Sequence, residues 1–217
     1  MPSPIPLLTD DPVPGAHAAD ATHTAPTVVL AHGAGAPMDS PYMNTVAAGL
    51  AARGIRVVRF EFPYMHSRRE GQRKPPDREP VLRHTWHEVI GQLGGGANLV
   101  IGGKSLGGRI ASYVADEARV KGLVCLGYPF HPPRDTKRLR TAHLATLKTP
   151  TLIVQGTRDD FGTPAEVASY ELSPAIRLLW MEDGDHSFKP RKSSGRTEAG
   201  NLAEAVEAVA EFVRGLG

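Results

Sequence analysis

Ser105 sits inside Gly102-Gly103-Lys104-Ser105-Leu106-Gly107-Gly108, one hydroxyl flanked by four glycines. A serine hydroxyl is a poor nucleophile at neutral pH. It attacks carbonyls when an imidazole takes its proton and a carboxylate orients that imidazole. The chain carries candidates for both partners downstream: Asp159 in "TRDDFGTP" and His186 in "DGDHSF". Asp160 is the neighbouring alternative for the acid. Asp159 is preferred because the residue after it turns into the next element. Asp183 and Asp185 are too close in sequence to His186 to orient its ring.

Gly103-Lys104-Ser105-Leu106-Gly107 fits G-x-S-x-G. In that motif the serine occupies a strained turn between a strand and a helix, and the flanking glycines let neighbouring backbone approach. The Leu106 N–H then points at the reacting carbonyl, helped by the helix N-terminus. A second oxyanion donor is expected after the first core strand. "LAHGAGAP" (30–37) supplies it as the Ala34 N–H, with Gly35 as the alternative. His32 is read as a structural ring bonding loop backbone, and Cys125 as an inert core residue.

These groups meet only if the elements between them bring them to one edge. Residues 27–32, 56–62, 98–103, 122–128, 150–156 and 176–182 are apolar runs of strand length. Four are almost continuous in Val, Ile and Leu, which suits strands covered on both faces. Between them, Met43, Val46, Ala47 and Leu50 fall at helical spacing. So do Leu82, Trp86, Val89, Ile90 and Leu93, and again Ile110, Ala111, Val114, Ala115 and Ala118. Leu202, Val206, Val209, Val213 and Leu216 draw one apolar stripe on a C-terminal helix. This alternation predicts an α/β fold: a mostly parallel sheet of about six or seven strands with helices on both faces. Right-handed crossovers put every strand-to-helix loop on one sheet edge, so Ser105, Asp159 and His186 share it.

The prolines at 2, 4, 6, 12, 14 and 26 predict a partly ordered N-terminal arm over residues 1–25, with a short edge strand at Ile5–Leu8. Residues 129–149 could hold one short helix but no lid domain, which predicts an open site. Two basic segments flank the predicted mouth, 66–78 and 189–196. Arg68 and Arg69 are the candidates to bind an anionic group on the substrate. The alternative is a solvated loop, with "PPDREP" as architecture.

The 217 residues, 41% hydrophobic and 22% charged, suffice for one domain. A net charge of +2 leaves no strong footprint for nucleic acid. The single cysteine excludes an intramolecular disulfide, and no apolar run reaches the length of a membrane helix. The first residues do not read as a signal peptide, so a cytoplasmic protein is expected. His84 and His87 lack a ligand pattern around them, so neither metal nor cofactor is expected. Oligomeric state has no signature in the chain.

"AHGAGAPMDSPYM", "FEFPYM", "GGKSLGGR", "GTRDDFG" and "DGDHSFK" resemble the α/β-hydrolase superfamily. More narrowly, they resemble a small hydrolase-like group that includes bacterial predicted hydrolases, the testis-expressed protein 30 type and the hydrolase-like domain of KAT8 regulatory complex subunit 3. Dienelactone hydrolases are more distant; their nucleophile is cysteine. The resemblance implies a serine hydrolase using Ser105, Asp159 and His186 on a small ester-like substrate. The competing expectation is a catalytically idle interaction module, since a fold does not fix an activity.

Overall fold

The structure is a computed structural model and describes residues 4–12 and 26–217. Seven strands form one sheet: β1 (Leu7–Asp10), β2 (Thr27–Ala31), β3 (Val57–Phe60), β4 (Leu99–Lys104), β5 (Gly122–Leu126), β6 (Thr151–Gly156) and β7 (Ile176–Met181). Their order is β1-β3-β2-β4-β5-β6-β7. All neighbours run parallel except β1, which pairs antiparallel with β3. Six helices accompany them: α1 (Pro41–Ala51), α2 (Pro63–Arg69), α3 (Glu79–Gln92), α4 (Leu106–Val114), α5 (Pro164–Val167) and α6 (Glu198–Arg214).

The continuous apolar runs are explained by two cores, one on each face of the sheet. Successive strand residues point to opposite faces. Val29, Ile101, Cys125 and Ile153 therefore join Trp86, Val89, Ile110 and Val114 of α3 and α4. Val28, Val100, Val124 and Leu152 join Val46 and Leu50 of α1 and Leu202, Val206, Val209 and Val213 of α6. A strand buried on both sides has no polar position to alternate with. Helix starts follow local chemistry too. Pro41, Pro63, Pro80 and Pro164 occupy first-turn positions, where the missing N–H costs nothing. Thr197 caps α6 by accepting from the Gly200 N–H.

Two expectations shift. Most of the expected arm, residues 1–3 and 13–25, falls outside the described residues. Within the part described, the edge strand is Leu7–Asp10 rather than 5–8. Its register, Leu7 opposite Phe60 through Asp10 opposite Val57, is locked by Arg59, which donates to Asp10 from a buried position. Residues 129–149 hold only a single 3₁₀ turn, Leu144–Thr146, in place of a short α-helix. Among the described residues, no lid covers the C-terminal edge of the sheet. Among the described residues, no helix is long and apolar enough to cross a membrane.

Candidate active site

β4 ends at Lys104 and α4 begins at Leu106, so Ser105 alone makes the turn. Its φ of 50° and ψ of −111° are a strained conformation for a residue with a side chain. The turn closes on β2 so tightly that a Cβ on Gly103 would lie 2.1 Å from the Ala31 carbonyl oxygen, and one on Gly107 2.3 Å from it. Gly103 also has φ 150°. Both positions require glycine.

β6 and β7 deliver the partners. The Asp159 side chain is fully buried just after β6. Its Oδ1 accepts from the Phe161 N–H at 2.9 Å, and its Oδ2 from Gln155 Nε2 at 2.8 Å. The same Oδ2 meets His186 Nδ1 at 2.8 Å. Since a carboxylate oxygen only accepts, Nδ1 carries the proton and donates. That leaves the lone pair on Nε2, which lies 2.8 Å from Ser105 Oγ and accepts its hydrogen. Asp160, the alternative acid, is exposed. The structure thus joins Ser105, His186 and Asp159 in one chain of hydrogen bonds.

A cavity of about 320 Å³ opens beside Ser105. Gly33, Ala34, Met43, Lys104, Phe161 and His186 are among the residues on its walls. Gly33 and Ala34, from the loop after β2, stand on one wall of it. His32 is buried and acts structurally: Nδ1 donates to the Gly33 carbonyl at 2.7 Å, and Nε2 accepts from the Phe62 N–H at 3.1 Å. Burial holds its pKa below the ordinary imidazole value.

Arg68 and Arg69 correct the expectation of an anion-binding pair. Arg69 is bound by Glu61 through Nε and Nη2 and by Asp39 through Nη2. Arg68 donates to the main-chain oxygens of Lys74 and Ala34. Neither lines the cavity beside Ser105. The Arg69 charge is met by Glu61, just after β3, and by Asp39 in the loop before α1, whereas Arg68 is held by main-chain oxygens. In the second basic segment, Arg191 pairs with Asp183 and Arg196 with Glu204.

Three contributors escaped the sequence reading. Gln155 bonds Asp159 and also both main-chain groups of Tyr128. A glutamine inside the apolar run "TLIVQG" was its signal. Phe161 lays its ring over the His186 imidazole, centroids 4.3 Å apart; nothing in the sequence marks it. Lys104 sits between Ser105 and the core, with Nζ donating to the His186 carbonyl. Burial lowers its pKa to about 8, against the opposing pull of Asp159 and Asp185. Opposite it, the Tyr42 hydroxyl is buried without a hydrogen-bond partner. Among the described residues there is no group of three His, Cys, Asp or Glu that could hold a metal.

The architecture and the hydrogen-bonded Ser-His-Asp chain at its strand ends define an α/β hydrolase. A family described as "Alpha/beta hydrolase domain" matches residues 24–214, and the chain belongs to it. Among curated proteins, it is 32% identical over 139 residues to a protein of Rattus norvegicus named "Putative protein-lysine deacylase ABHD14B". That match spans 63% of each chain, less than two thirds of the relative's own length. Among solved structures it is similar to an alpha-beta serine hydrolase homologue from Coxiella burnetii, with 20% identity and a TM-score of 0.67 over 97% of this chain and 91% of that one. It is also similar to Est1E from Butyrivibrio proteoclasticus, with 16% identity and TM-score 0.69 over 97% and 93%. A third is an a/b serine hydrolase without lid from Xanthomonas campestris, with 18% identity and TM-score 0.63 over 94% and 88%. At these identities the structures speak for the shared fold.

Proposed function

We propose that the chain is a serine hydrolase that cleaves a small ester-like substrate through an acyl-enzyme. The observation that carries this reading is the pair of 2.8 Å contacts about one imidazole, Nε2 to Ser105 Oγ and Nδ1 to Asp159 Oδ2. Ser105 Oγ attacks the carbonyl carbon while its proton passes to His186 Nε2. Asp159 holds the ring in the productive tautomer and stabilises the imidazolium. The tetrahedral oxyanion is held by the Leu106 and Ala34 N–H groups. Collapse breaks the bond to the leaving group, which takes the proton from His186. Water then gives its proton to Nε2, attacks the acyl carbon and releases the acid, and Ser105 recovers its hydrogen.

The small, largely apolar cavity suits a short acyl group, and the motifs around Ser105 resemble those of small hydrolase-like proteins, which supports this reading. A fluorophosphonate probe tests the reading. Labelling that vanishes in Ser105→Ala supports it. A folded wild-type protein that takes no label and turns over none of a panel of short esters, thioesters and lactones would instead be an idle interaction module.

A further inference from the structure

The oxyanion loop at Gly33–Gly35 is not a free turn. Its carbonyls are tied to His32, just after β2, and to side chains of α2. The Gly33 oxygen accepts from His32 Nδ1 at 2.7 Å and from the Tyr64 hydroxyl at 3.3 Å. The Ala34 oxygen accepts from Arg68 Nη1 at 3.0 Å. In a planar trans peptide the C=O and the following N–H point in opposite directions. Anchoring the Gly33 carbonyl therefore aims the Ala34 N–H, and anchoring the Ala34 carbonyl aims the Gly35 N–H. Among the described residues, neither amide hydrogen has an acceptor, and Gly33, Ala34 and Gly35 all line the cavity.

Arg68 is itself held on three sides. Its Nε donates to the Lys74 carbonyl at 2.7 Å, and its guanidinium lies 5.0 Å over the Tyr64 ring. Tyr64 in turn is fixed at its main chain, where its N–H donates to Asp77 Oδ2 at 2.8 Å. A planar guanidinium suits this task because it can donate in two fixed directions while stacking on an aromatic face.

We propose that Arg68 is a positioning residue for the oxyanion loop: by holding the Ala34 carbonyl it aims the Gly35 N–H at the substrate oxygen, beside the Ala34 N–H. This rests on the serine hydrolase reading, and it reassigns the basic segment 66–78 from charge recognition to loop geometry. Misaimed donors weaken transition-state stabilisation more than substrate binding.

The test compares wild type, Arg68→Met and Arg68→Lys on a neutral short ester, at low and high salt. Arg68→Met should lower kcat about tenfold to a hundredfold with KM little changed. It should weaken a boronic acid transition-state analogue by the same factor. Arg68→Lys, which still donates once, should recover part of both, and salt should have little effect. Backbone ¹⁵N order parameters at residues 33–35 should fall in Arg68→Met while those over α4 stay unchanged. An unchanged kcat with unchanged order parameters overturns the proposal. So does a defect confined to KM for anionic esters that fades with salt, which returns Arg68 to anion binding. If Arg68→Met fails to fold, Arg68→Gln, which removes the guanidinium but stays polar, should show the same kcat-selective loss. An unlabelled, inactive wild type sinks the hydrolase reading alone, since the order parameters of residues 33–35 still judge Arg68.

Discussion

Lys104 Nζ lies 2.5 Å from the main-chain oxygen of His186, so the residue before Ser105 holds the loop that carries the imidazole. That ammonium is buried, and its pKa of about 8 sets a pH window for stability. An unfolded lysine keeps its proton to about pH 10.4. Between the two values the unfolded chain binds more protons, so this group's contribution to stability rises with pH. Below pH 8 its full cost is present. The unfolding free energy of wild type minus that of Lys104→Met should increase by about 2–3 kcal/mol between pH 7.5 and 10 in urea titrations. A flat difference would place the ammonium in contact with solvent.

Asp159→Asn should lower kcat about 10⁴-fold. The new amide would donate towards His186 Nδ1, and the proton would then sit on Nε2, facing Ser105 as a donor. Asp160→Asn, at an exposed position, should stay within about twofold of wild type. Steady-state rates on one ester decide between the two, and the opposite ranking would move the acid to Asp160.

Gln155→Leu keeps side-chain bulk while removing the bonds to Asp159 and Tyr128. The Tyr128 N–H and C=O lose this buried partner, at roughly 1–3 kcal/mol each. Urea denaturation should therefore show a loss of about 2–5 kcal/mol. A loss under 1 kcal/mol would mean that solvent reaches Tyr128.

The acid limb of stability belongs in part to two histidines, His32, which is buried, and His143, which is half-buried. Burial lowers the His32 pKa, and burial together with the charges of Arg109 and Arg83 lowers His143 to about 4. Unfolded imidazole takes its proton near pH 6.5. The folded protein refuses it there, so stability is lost as pH falls from about 6.5, for His143 down to about 4. His143→Gln, which can still bond the Ser112 hydroxyl, should flatten that limb in thermal melts from pH 7 to pH 4.5. An unaltered slope would remove His143 from the account.

Gly107→Ala drives a methyl into the Ala31 carbonyl and should leave little soluble protein, or cost more than about 3 kcal/mol. Gly91→Ala, in α3 with nothing within 4 Å of the added methyl, should stabilise by about 0.5–1 kcal/mol. Denaturant midpoints of the pair measure both.

The sheet and the Ser-His-Asp chain were legible because each follows from local pattern. Continuous Val, Ile and Leu marked strands sandwiched between two cores, and loops after β4, β6 and β7 had to share an edge. Arg69 was misjudged because charge says nothing about its partner, and Glu61 and Asp39 arrive only through folding. β1 slipped by two residues because Thr9 and Asp10 are polar; their pairing is decided by Arg59 across the sheet. Phe161 follows an acid in a turn, and only the return of β7 puts an imidazole beneath its ring.

No residue from the segment between β5 and β6 touches the cavity beside Ser105. On the proposed mechanism, water then reaches an acyl-serine in that cavity without a lid of this segment having to open, and transfer of the acyl group to another alcohol or amine should be a minor product.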